Sequence, residues 1–326
     1  MERFVRVWTD LISDDNFLAF QDEIICKSYY ELFKGYESNE NEVSIVKRLI
    51  DATNKKSYGP IKIFSKKIHG SSSLVEFNCR ANKTVKELGD MLVISVVTEN
   101  RKRLFQRVCI IQNKKDKNER WEIDQEQLYL LKNFPKFSGK QGLFKNFINT
   151  IFKNNSGSLG AFGLFENPGE MIFLTANVLT DMLKGKKYLA RTDIGMYGKE
   201  NFLNRNIFLY PFWYSPRWDE FFYYWFKYLR RYNLSIDYGN LPLFGNTFFT
   251  LDLNDFVKSW TLFNIGEYTC FLGDVINKRV DVFSNSILRA IGLRDFIDLP
   301  ITNQEVEFTF ESEAAIFVIH IDIGQG

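Results

Sequence analysis

Apolar residues recur at helical spacing through Asn16 to Phe33 (NFLAFQDEIICKSYYELF) and again through Glu42 to Ala52, which predicts two helices ahead of the turn-rich Lys55 to Pro60. From Ile61 the period shortens. IKIF, SLVEF, DMLVISVVT and LFQRVCIIQNKK are short runs rich in β-branched residues and predict strands. After a polar segment, WEIDQEQLYLLKNFP predicts a short helix: Asp124 and Gln127 have capping-box spacing, and Pro135 closes it. The Ser/Asn/Gly cluster NNSGSLG, Asn154 to Gly160, reads as a linker. It divides the chain into residues 1–155 and 156–326, although MIFLTA, as one more strand of the first part, would move the boundary toward residue 190. The later part is unusually aromatic, above all PFWYSPRWDEFFYYWFKYLRRY, and ends in the strand-like alternation of FESEAAIFVIHIDI. The expected class is therefore α/β with a mixed central sheet, followed by an aromatic-rich α+β region.

Composition narrows the function classes. With 45% hydrophobic and 25% charged residues the chain is expected to fold into a substantial core. A formal charge of +2 supplies no global field for nucleic acid, so any such binding needs a local basic patch. The four cysteines, Cys26, Cys79, Cys109 and Cys270, lie far apart without a CxxC pair, which points to reduced structural thiols. Met1 to Asp15 lacks the basic-then-apolar order of a secretion signal. The most apolar stretch, Ile207 to Phe226, is interrupted by prolines and charges, so no membrane association and a cytoplasmic location are expected. Two histidines, His69 and His320, are too few for a histidine metal cluster or a Ser-His-Asp triad. GSLGAFG lacks the lysine of a P-loop.

The chemistry-bearing pattern lies in the two apolar strand runs. Paired as a hairpin about Arg101, they set Asp90 directly opposite Gln112. Facing residues of an antiparallel pair have Cβ atoms roughly 4.5 to 5.5 Å apart, within reach of one metal ion. Lys114, two positions on, shares the face of Gln112. An acid, an amide oxygen and an ammonium together suit a hard cation such as Mg²⁺ and the negative charge of a phosphoryl group.

KELGDMLVISVVT followed by RVCIIQNKKD resembles the PD-(D/E)xK nuclease signature in its QxK form, and QEQLY in the next helix is similar to the QxxxY pattern of the RecB-type branch. The resemblance spans roughly 80 residues. It implies a restriction-endonuclease-like core in which Asp90 and Gln112 bind metal, Lys114 is the catalytic lysine, and Gln125 with Tyr129 contacts the substrate. No proline precedes Asp90, and glutamine replaces the usual Glu, which removes one negative charge. Glu87 is the expected replacement on proximity; Glu76, Glu23 and Glu31 are alternatives. The implied activity is Mg²⁺-dependent (or Mn²⁺-dependent) hydrolysis of DNA, with RNA as a second substrate class, by an endonuclease of restriction or antiphage type. The rival expectation is a non-catalytic nucleic-acid-binding or protein-interaction module on a degenerate nuclease fold.

The aromatic run Trp218 to Tyr232 has two readings. It is a buried core or an interface with a second copy or a regulatory protein. Alternatively it is a base-stacking platform on which Lys227, Arg230 and Arg231 touch phosphates.

Overall fold

The computed structural model describes residues 2–68, 73–80, 82–203, 246–293 and 314–324. Three helices open the chain: α1 (Glu2–Ile12), α2 (Asp15–Glu37) and α3 (Glu42–Thr53). Asp14 and Asn41 cap the second and third with side-chain oxygens, accepting from the backbone N–H groups of Asn16 and Ser44. Then come β1 (Ser57–Tyr58), β2 (Ile61–Ile68), β3 (Leu74–Cys79), β4 (Asn82–Glu87), β5 (Met91–Glu99), β6 (Lys102–Lys115) and β7 (Arg120–Glu122). Helix α4 (Gln125–Asn133) and β8 (Phe137–Gly139) follow, then β9 (Gly160–Glu166), β10 (Glu170–Thr175), α5 (Ala176–Leu183), β11 (Tyr188–Ala190) and α6 (Arg191–Leu203). The described chain resumes with β12 (Phe249–Thr250), α7 (Leu253–Thr261), β13 (Glu267–Phe271), β14 (Asp274–Val275), α8 (Lys278–Ala290) and β15 (Ala314–Asp322).

Most strands join one mixed sheet in the order β1-β2-β15-β5-β6-β9-β10-β12, with β13 also paired to β6. The β5–β6 hairpin is antiparallel, whereas β15 lies parallel to β5 and β9 parallel to β6. A parallel neighbour needs a crossover, and α4 lies within the connection from β6 to β9. Both faces of the sheet are covered, which explains why β5 and β6 read as almost continuous apolar runs. Alternation sorts them: Leu92, Ile94, Val96, Val108 and Ile110 pack with residues of α4, α5 and α8, while Met91, Val93, Val97, Cys109 and Ile111 pack with α2, α3 and α7.

The α/β class with a large mixed sheet agrees with expectation. The division at residue 155 does not follow the sheet: β9, β10, β12, β13 and β15 all come from beyond it, and β15 sits between β2 and β5. The expected linker is anchored as well. Asn154 donates to the Lys132 carbonyl, and Glu267 accepts from the backbone N–H of Ser156. The aromatic run with Lys227, Arg230 and Arg231 lies outside the described residues. No helix among the described residues is long and apolar enough to cross a membrane.

Candidate active site at the ends of β5 and β6

The hairpin turn sets the site's register. Glu99 pairs with Lys102 across Asn100 and Arg101, both with positive φ (50° and 67°), the conformation of a tight two-residue turn matched to strand twist. A bulge between Val97 and Thr98 corrects the register, so Met91 faces Ile111. One step further, the Asp90 backbone N–H donates to the Ile111 carbonyl at 3.1 Å, and the aspartate stands beside Gln112 as the sequence predicts.

Two residues hold the Asp90 carboxylate, and a third braces one of them. Gln112 Nε2 donates to its Oδ2 at 2.8 Å, while the Asn113 backbone N–H and Nδ2 donate to its Oδ1 at 3.0 and 2.6 Å. From α4, Gln127 Nε2 donates to Gln112 Oε1 at 2.6 Å and also to the Glu87 carbonyl at 3.1 Å. Gln112, Asn113 and Gln127 are buried, whereas Asp90, Glu87 and Lys114 retain part of their surface. The carboxylate itself is thus largely enclosed, with both oxygens already accepting hydrogen bonds. Burial pushes its pKa well above the ordinary carboxylate range; Glu87 adds to the rise and Glu42 contributes, while the Asn113 N–H and the Lys114 ammonium oppose it.

Glu42 enters from the opposite layer. It occupies the first turn of α3, and its Oε1 accepts from the Lys115 backbone N–H at 2.7 Å. Asp90 therefore feels acids from both sides of the sheet: Glu42 from the α3 layer and Glu87 from the end of β4. The two lysines of QNKK part company. Lys115 donates to the Glu40 carbonyl at 2.8 Å and lies 4.8 Å from the Tyr36 ring centre, whereas Lys114 makes no ion pair among the described residues.

The other candidates fall elsewhere. Glu23 is paired with Lys56 and Lys27, which hold its carboxyl down at about 2. Glu31 bonds Lys34 and Arg48, and Glu76 bonds Lys83 and Lys140, so each of the three alternatives has a cationic partner. On α4, Gln125 is exposed and donates to the Lys186 carbonyl at 3.0 Å, while Tyr129 stacks on Phe77 with ring centres 6.5 Å apart. These two do not join the Asp90 cluster; Gln127, between them in sequence, does. Asn113 and Glu42 were also missed. Asn113 carries a legible signal, a polar residue ending an apolar strand on the face opposite Gln112. Glu42 carries none, because an acid in a first helical turn is favoured by the helix dipole in any protein.

A hard divalent cation can be tested against these donors. Among the described residues no group of three or more His, Cys, Asp or Glu side chains is placed to hold a metal. The carboxylates of Asp90 and Glu87 are of the right chemical type, and the amide of Gln112 completes the oxygen set only when Oε1 replaces Nε2 toward Asp90. The fit therefore turns on one amide.

The chain matches no protein-family model, no curated protein and no solved structure.

Proposed function

We propose that the protein is a metal-dependent nuclease that hydrolyses DNA phosphodiester bonds as an endonuclease of restriction or antiphage type, with a restriction-endonuclease-like core built on β5, β6, α4 and β9. The observation that carries this reading is the joint placement of Asp90, Gln112 and Lys114 at one end of an antiparallel hairpin, followed by a helix and a parallel strand. Bound by Asp90, Glu87 and a turned Gln112, Mg²⁺ or Mn²⁺ would polarise the phosphoryl group and acidify the attacking water. Asn113 fixes the Asp90 carboxylate from the backbone and from its side chain. Lys114, held at the strand end without a competing ion pair among the described residues, offsets charge that builds on the phosphoryl oxygens in the transition state. Gln125 and Tyr129 are assigned to substrate contact outside the metal site.

Purified protein incubated with plasmid, linear duplex and single-stranded DNA, and with RNA, is expected to cut DNA with Mg²⁺ or Mn²⁺ and not with EDTA. Asp90→Asn and Lys114→Ala are expected to lose at least about a hundredfold in rate while remaining folded. Cutting that persists in folded Asp90→Asn would remove this assignment. A second reading, a non-catalytic nucleic-acid-binding module, is favoured by one observation: Gln112 presents nitrogen, not oxygen, to Asp90. That reading expects DNA to be bound and left intact with either metal.

A further inference from the structure

The hydrogen bonds around Asp90 form a chain with a fixed polarity. At one end stands the Glu87 backbone carbonyl, which can only accept, so Gln127 must turn Nε2 toward it. The same nitrogen also donates to Gln112, which obliges Gln112 to offer Oε1 to α4 and Nε2 to Asp90. At the other end Asp90 accepts from Asn113 as well, and the backbone donor of that pair cannot be reversed. No single amide in this chain can turn over without losing a buried bond. A hydrogen bond lost inside the protein leaves an unsatisfied group and costs more than the bond itself contributes.

We propose that Gln127 is a positioning residue that latches the Gln112 amide with its nitrogen toward Asp90, so that α4 sets the site's affinity for a divalent cation. Turning Gln112 to present Oε1 breaks its bonds to Gln127 and Asp90 together. Movement of Gln127, for instance when α4 is displaced by a bound partner or substrate, releases the first and leaves the second to be replaced by the cation. The metal arm of this inference rests on the nuclease reading; the latch itself does not.

The test uses Gln127→Met in the full chain, a substitution of similar length with no donor. Two quantities are measured: solvent exchange of the Gln112 side-chain amide protons by NMR, and Mn²⁺ affinity by calorimetry. Slow exchange in the native protein, faster exchange in the variant and an affinity for Mn²⁺ raised by about tenfold are expected, the last being the worth of one neutral buried bond. Unchanged exchange and unchanged affinity in a folded variant would overturn the latch. Should Gln127→Met fail to fold, Mg²⁺ titration of the native protein decides instead: the Gln112 and Gln127 amide resonances must shift together, and a shift of Gln112 alone overturns the proposal. Faster amide exchange with no Mn²⁺ binding to either protein would uphold the latch while counting against the nuclease.

Discussion

Two titratable residues at opposite ends of the central strands carry opposite pH dependences. The Asp90 carboxyl is raised, chiefly by burial, so the folded protein holds its proton more tightly than the unfolded chain does. The stability this contributes is full below the ordinary carboxylate pKa and is lost as pH rises through the folded value. Asp90→Asn should therefore become progressively more stable relative to the native protein as pH rises above about 4, followed by urea unfolding. A cation must displace the same proton, so Mn²⁺ affinity should climb with pH by up to about tenfold per pH unit below the folded pKa. A flat affinity across that range would mean that Asp90 is not the ligand. His320 behaves inversely: burial lowers its pKa to about 4, while Nε2 lies 2.8 Å from Thr98 Oγ1. Here the unfolded chain takes up the proton first, so stability is complete above about pH 6.5 and falls as pH drops toward 4, by about 3 kcal/mol from this group alone. His320→Gln should lose less stability over that window than the native protein. An identical acid-side loss would assign it to other groups.

The elements around the site differ in how far the chain announces them. The β5–β6 register was legible because the polar residues Asp90 and Gln112 bracket two apolar runs of matched length about a polar turn. Helix α4 was legible from Asp124, whose carboxylate accepts from the backbone N–H groups of Glu126 and Gln127. The expected reciprocal bond, in which Gln127 Oε1 accepts from the Asp124 backbone N–H, is not made, because the Gln127 side chain is directed instead toward Gln112 and the Glu87 carbonyl. Asp124→Ala should cost about 1 kcal/mol in urea unfolding, the usual worth of an N-cap. No measurable cost would mean that neither the cap nor the Lys86 ion pair, both lost in this variant, holds the start of α4. The parallel partners of the hairpin were not legible. Strands buried on both faces expose no alternation that names a neighbour, and β9 and β15 are distant in sequence from the strands they join. Close packing does fix β9: a Cβ on Gly160 would stand 2.1 Å from the Leu131 carbonyl of α4. Because backbone rather than a flexible side chain is in the way, Gly160→Ala should destabilise the protein by about 1 to 3 kcal/mol. A thermal midpoint equal to that of the native protein would show that β9 and α4 are less tightly apposed.

For the whole molecule, the candidate site and its support come from different parts of the chain. Asp90, Gln112, Lys114 and Gln127 all precede residue 155, but the hairpin that carries them is flanked on both sides by strands from beyond it: β15 beside β5, and β9 with β13 beside β6. Those strands bring Ile316, Val318, Phe162 and Leu164 into one core layer and Phe317, Ile319, Ala161 and Phe165 into the other. A chain ending at residue 155 would leave the backbone donors and acceptors of two central strands unpaired and much of their apolar surface in water. Residues 1–155 expressed alone should therefore be insoluble or lack cooperative unfolding. Co-expression with residues 156–326 is expected to restore a soluble complex by supplying the missing strands in trans. A soluble monomer of residues 1–155 with a sharp thermal transition would show instead that the hairpin, its helices and the small β4-β3-β8 sheet form an independent unit. The later strands would then be an added layer rather than part of the core that positions Asp90.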